Sequence, residues 1–144
     1  MLHSTAANGR REPEFACTVD VTLSVIGGKW KLLLYYQLRR GTQRFGQLKR
    51  AMPRITQTML TQQLRELEED GIVSRTVYAE VPPRVEYALT EFGRTLDPVI
   101  CAMCTWGEQY RAMVVERKRL ARPEGEAPAA DDALPEDACP ESAA

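Results

Sequence analysis

Within ten residues the chain sets Thr56, Gln57, Thr58, Thr61, Gln62 and Arg65, a run that offers hydroxyl, amide and guanidinium groups and no carboxylate. At helical spacing Thr58, Gln62, Arg65 and, beyond this run, Glu69 share one face, with Thr61 at its flank. Such groups suit the edges of base pairs in a major groove, where each good bidentate pair discriminates by about 1–3 kcal/mol. A second set, Lys29, Arg44, Lys49, Arg54 and Arg84, carries the point charges and planar forks that hold phosphates and fix register without reading sequence. Thiols are the third candidate chemistry: Cys17, Cys101, Cys104 and Cys139. Cys101 and Cys104 lie three apart on one helical face, yet two ligands are too few for a metal, and the single histidine is His3. No Gly-rich phosphate loop, no Ser/His/Asp set and no paired acids in an apolar setting occur, so neither an enzyme nor a metal or cofactor is expected.

Charge supports a polyanionic partner. The 144 residues hold 19 Lys and Arg against 20 Asp and Glu, but residues 21–65 contain nine basic residues and no acid. Even spreading would put about six acids there, and double-stranded DNA is the polyanion that best fits such a run. An anionic membrane surface fits less well, and a solvated basic face needs no partner at all. With 44% hydrophobic and 27% charged residues, the chain has ordinary globular composition, which excludes wholesale disorder. Its length allows one core, or one core with a dimerisation element. No uncharged run reaches the ~18 residues of a membrane span and the opening residues lack an apolar stretch, so a soluble cytoplasmic protein without membrane contact is expected.

The elements that must position these groups follow from spacing. Residues 1–14 predict a flexible arm, 15–120 the folded unit, and 121–144, with seven acids, one Arg and four prolines, a disordered acidic tail. Val21, Leu23, Val25 and Ile26 fit a short helix closed by Gly27 and Gly28 in positive-φ conformations. Trp30, Leu33, Leu34 and Leu38 give a second helix stopped at Gly41, and Phe45, Leu48 and Met52 a third, ended by Pro53. In the fourth, Leu60, Leu64 and Leu67 form one stripe, Thr56 is the N-cap, and Asp70 with Gly71 ends it. Its acids, Glu66, Glu68, Glu69 and Asp70, are confined to the last turn, away from the positive end of the helix dipole. The period then changes to two on either side of Val81, Pro82, Pro83 and Arg84, predicting a β-hairpin whose tip arginine either contacts DNA or pairs with Glu80 or Glu86. Thr90 and Glu91 open a last helical region with Leu96, Ile100, Met103, Trp106, Tyr110 and Met113 at three- and four-residue steps, kinked at Asp97 and Pro98. Trp30, Phe45, Tyr87, Trp106 and the methionines of the last helix are expected in packed interiors rather than a ligand pocket.

This order predicts a mainly α fold with a small β-hairpin wing: a winged helix-turn-helix with added N- and C-terminal dimerisation helices. The blocks GGKW, LTQQLRELEEDGIV and VPPRVEYALT, with their spacing, resemble the HxlR-type transcriptional regulators of bacteria, relatives of the MarR group, over residues 17–106. The resemblance implies a homodimeric DNA-binding regulator, more often a repressor, with its recognition helix at 56–69 and its wing at 78–86. It places the dimer contacts on segments 21–26 and 96–113 and implies an inverted-repeat operator with half-sites about one helical turn apart. Several such regulators sense oxidants or electrophiles through a cysteine at the place of Cys17, which stands before the first helix with Asp20 one turn on. A buried small residue at the dimer interface, a small-molecule effector, constitutive binding and a winged helix turned to protein interaction are the alternatives.

Overall fold

The computed structural model describes residues 13–122; the expected arm up to residue 12 and the expected tail from residue 123 onward lie outside them. Along the chain run α1 (Thr18–Ile26), α2 (Lys29–Arg39), β1 (Gln43–Arg44), α3 (Phe45–Ala51), α4 (Gln57–Glu69), β2 (Val73–Tyr78), β3 (Arg84–Leu89), α5 (Glu91–Arg94) and α6 (Asp97–Leu120). The wing is therefore a three-stranded antiparallel sheet of order β1-β3-β2 rather than a hairpin alone. In it Val73 faces Leu89, Tyr78 faces Arg84, and Gln43 and Arg44 pair with Tyr87 and Glu86.

One core holds the unit. Leu34, Tyr35 and Leu38 of α2 meet Leu48 of α3, Leu60, Leu64 and Leu67 of α4, and Tyr87 and Leu89 of β3, with Met52, Ile55, Ile72, Val73 and Ile100 closing the edges. Each leucine so enclosed stabilises the fold by roughly 1.5–3 kcal/mol. The buried face of α2 is turned from the expected one: Tyr35 is enclosed and Trp30 and Leu33 only half so. The outer helices differ sharply, since α1 buries only Ile26 and the 24-residue α6 only Ile100.

Two junctions depart from expectation. Of the glycine pair between α1 and α2, only Gly28 takes positive φ, at 87°. Gly27 stays at φ −63° and serves by size: its N–H donates to the Leu23 carbonyl at 2.7 Å, and a Cβ there would overlap that oxygen. At the far end there is a break instead of a kink. Thr90 caps α5 by accepting from the Gly93 N–H at 2.8 Å, the helix ends at Arg94, and α6 starts afresh at Asp97 with Pro98 in its first turn, where a missing N–H costs no hydrogen bond. Asp97 then joins α6 to α2. Its Oδ1 accepts from the Tyr35 hydroxyl at 2.7 Å and pairs with Arg39 Nε at 3.0 Å, while the same hydroxyl lies 3.0 Å from the Gly93 carbonyl. Burial first, and then the hydrogen bond to Asp97, push the Tyr35 phenol well above its ordinary range.

Candidate nucleic-acid interface

Helix α4 is fixed from both ends and from beneath. The Thr56 hydroxyl accepts from the Met59 N–H at 3.1 Å, satisfying one orphan donor of the first turn. Ile55 and Leu60, the staple positions either side of that cap, both enter the core. At the other end Gly71, at φ 74°, turns the chain into β2. With Leu60, Leu64 and Leu67 enclosed, Gln57, Thr58, Thr61, Gln62 and Arg65 are all exposed on the outer side.

These outer groups are not equivalent. The side chains of Gln57, Thr58 and Arg65 make no hydrogen bond or ion pair among the described residues. The Thr61 hydroxyl donates back to the Gln57 carbonyl at 2.9 Å, which leaves it an acceptor. The Gln62 amide donates to Glu66 Oε1 at 3.1 Å. Thr56 acts as the cap.

The cationic candidates lie on the turn before α4, on α2 and α3, and in the wing. Arg54 is exposed on the turn between α3 and α4, and Lys49 of α3 reaches the Pro53 carbonyl of the same turn at 3.3 Å. Arg44 is exposed at the start of α3, where its backbone N–H donates to Gln47 Oε1 at 2.8 Å. Lys29 lies 5.4 Å from the centre of the Trp30 ring at the start of α2. Arg84 is held within the wing, 3.4 Å from Glu80 and 3.4 Å from Glu86, with its guanidinium 4.0 Å from the centre of the Tyr78 ring. Between the wing tip and α3 opens a cleft of about 400 Å³, lined by Arg44, Phe45, Glu80, Val81, Pro83 and Arg84 among others. Lys31, part of the basic run, is turned inward: it is 8% exposed and pairs with Glu66 at 2.7 Å.

Sequence reasoning missed that pair and the joint at Asp97. A local signal existed for the first, because Lys31, Leu34, Tyr35 and Leu38 themselves follow helical core spacing. Tyr87 is buried, and Trp30 and Phe45 pack half-buried against the core, as expected of them. Trp106 and the methionines of α6 do not follow: Met103 is 49%, Trp106 59% and Met113 53% exposed.

Cys17 is exposed at the N-cap of α1, with the Ala16 N–H donating to Asp20 Oδ2 at 3.1 Å beside it. Cys101 is exposed and accepts from Arg39 at 3.8 Å, and Cys104 is half-buried against the core. Cys139 lies outside the described residues. Among the described residues no helix is long and apolar enough to cross a membrane.

Residues 25–114 match the HxlR-like helix-turn-helix family. The chain is 59% identical over 95 residues to the HTH-type transcriptional regulator YdeP of Bacillus subtilis (strain 168), covering 66% of this chain and 74% of that one. Among solved structures it is similar to the redox regulator HypR. The oxidised form shares 60% identity at a TM-score of 0.62, over 65% of this chain and 96% of that one. The reduced form shares 56% identity at a TM-score of 0.67, over 69% and 99%.

Proposed function

The chain belongs to the HxlR-like helix-turn-helix family, whose relatives here are transcriptional regulators and not enzymes, and from that premise we propose that it is a repressor acting as a homodimer on an inverted-repeat DNA operator. The observation that carries this reading is the two-sidedness of α4, with one side locked into the core and the other polar and free of acids over its first two turns. In a major groove about 12 Å wide that side meets base edges, with Gln57, Thr58, Thr61, Gln62 and Arg65 as readers. Lys29, Arg44, Lys49 and Arg54 hold phosphates and set the register. The wing sits against the neighbouring backbone, where contact by Arg84 requires it to exchange Glu80 and Glu86 for phosphate. The protein works in the cytoplasm, on the nucleoid when bound.

Dimerisation is supported by the apolar side chains that α1 and α6 leave outside: Val19, Val21 and Leu23 on the first, Met103, Trp106 and Met113 on the second. Exposed apolar side chains grouped on a helix mark an interaction surface when they form a patch. A two-fold dimer of this kind would read an inverted repeat with half-site centres about one helical turn of DNA apart. The signal is oxidation, or capture of an electrophile, at Cys17. Its support is the exposed thiol on the helix assigned to the interface and the similarity to a redox regulator.

The test is a titration of the full chain on its own upstream intergenic DNA at two salt concentrations, with reduced, diamide-treated and Cys17→Ser samples. Selective, salt-dependent binding that oxidation abolishes only when Cys17 is present is the expected result. Selective binding indifferent to oxidation overturns the switch and leaves the regulator. Arg65→Ala should alter preference at one base pair, whereas Lys49→Ala should weaken binding to every sequence and lower the salt slope by about one unit. Equal losses on all sequences from both variants overturn the division into readers and clamps.

A further inference from the structure

Helix α2 reaches the outer face of α4 through a two-step polar chain. Lys31 projects from the buried side of α2 and is 8% exposed; its Nζ lies 2.7 Å from Glu66 Oε2. The other carboxylate oxygen of Glu66 accepts from Gln62 Nε2 at 3.1 Å, one turn back toward the start of α4. Lys31 first, and Gln62 next, hold the Glu66 carboxyl below its ordinary range, so it is ionised at neutral pH.

An ionised carboxylate accepts hydrogen bonds and donates none. The Gln62 group facing Glu66 is therefore the NH₂, and a flip of the amide would set its oxygen against a charged oxygen. That settles what Gln62 presents to the groove: its carbonyl oxygen and the remaining amide hydrogen. An adenine edge offers an amino donor and the N7 acceptor, which matches this pair, whereas guanine offers two acceptors and thymine an acceptor and a methyl group. Cytosine satisfies only the carbonyl oxygen. A glutamine free to rotate could present its two donors to guanine instead; a pinned one cannot do so without breaking its bond to Glu66.

We propose that Lys31 and Glu66 are positioning residues that lock the Gln62 amide in one orientation and so make it a reader of adenine at one position of each half-site. The inference rests on α4 being the recognition helix. It gives Lys31, a member of the basic run, a role other than phosphate contact, because its charge is already enclosed and paired. It also gives Glu66 a use that its position among the acids of the last turn conceals. Locking in advance restricts the rotamers that would otherwise be lost on binding.

The experiment uses the full chain on duplexes taken from selection out of a random library, with each base pair then varied in turn. Gln62→Ala identifies the position concerned by loss of its adenine preference, by about tenfold or more. Glu66→Ala alone strands a buried ammonium and is expected to unfold part of the population. The informative protein is instead the double variant Lys31→Met, Glu66→Met, in which two apolar side chains of similar length replace the pair between α2 and α4. It should keep its melting temperature and the salt slope of the unaltered protein, while its adenine preference at that position falls at least threefold. Gln62→Ala in that background should then cost correspondingly less than in the unaltered protein. An undiminished preference in the double variant overturns the inference, as does an identical Gln62→Ala loss in both backgrounds. A salt slope lowered by about one unit overturns it too, because Lys31 would then be a phosphate contact. Failure of the unaltered protein to select any sequence overturns the recognition reading of α4 itself, and this inference with it.

Discussion

Helices α4 and α6 both repeat apolar residues at three- and four-residue steps, yet the stripe of α4 is enclosed and that of α6 is open. In α4, Leu60, Leu64 and Leu67 are enclosed within their own chain, and the rest of that helix is polar but for Met59. In α6, Ile100 alone is buried across 24 residues, and Met103, Trp106 and Met113 stand out from the surface. The same periodicity thus marks two different situations: the core of the same chain covers one helix, and a second copy covers the other only in the dimer proposed above. Apolar spacing marks a stripe, and the tertiary structure shows which stripe its own chain covers.

The contrast breaks most severely at Leu64. Leu64→Ala should lower the unfolding free energy by about 2–5 kcal/mol in urea titration, the range for a leucine removed from a packed interior. A loss under about 1 kcal/mol would mean that the α4 stripe is less enclosed than its burial indicates. Next in size, Trp106→Ala should weaken self-association by about 2 kcal/mol, near thirtyfold in dissociation constant by sedimentation. At concentrations where the protein is monomeric it should leave the melting temperature unchanged. A fall in melting temperature at every concentration would instead place Trp106 in the interior of its own chain.

The smallest effect is acid sensitivity at the α2–α4 contact. Glu66 has its carboxyl lowered from the ordinary 4.5, so its pairing contributes fully above that pH and is lost as pH falls through the lower folded value. The double variant Lys31→Met, Glu66→Met should therefore match the unaltered protein near neutrality and lose less stability below the ordinary carboxyl range. Equal acid loss in both proteins would assign that sensitivity to other carboxylates.

What the sequence made legible was what local chemistry determines. Thr56, the three leucines and Gly71 delimit α4 without reference to anything distant, and Thr90 marks α5 in the same way. Strand β1 left no such mark. Two residues long, it exists because Tyr87 and Glu86, over forty positions later, offer an unpaired edge to Gln43 and Arg44. The break at Asp97 looked like a kink because proline is compatible with both, and the choice is made by Tyr35 and Arg39 on another helix. The proposed readers on α4 were visible as residue types. Which of them are free, pinned or used as caps depends on neighbours that only folding supplies.

The joint at Asp97 also has a mechanical meaning. Helix α6 is gripped in its first two turns by Tyr35, Arg39, the buried Ile100 and the half-buried Cys104, and most side chains of its later turns are exposed. At 1.5 Å per residue its 24 residues extend about 36 Å, so a tilt of about 5° at the grip displaces the far end by about 3 Å. A rod held at one end is a lever. In the dimer proposed above, a small rearrangement where two such rods cross would be returned, through the same grip, as a rotation of α2 and of the reading helix packed on it.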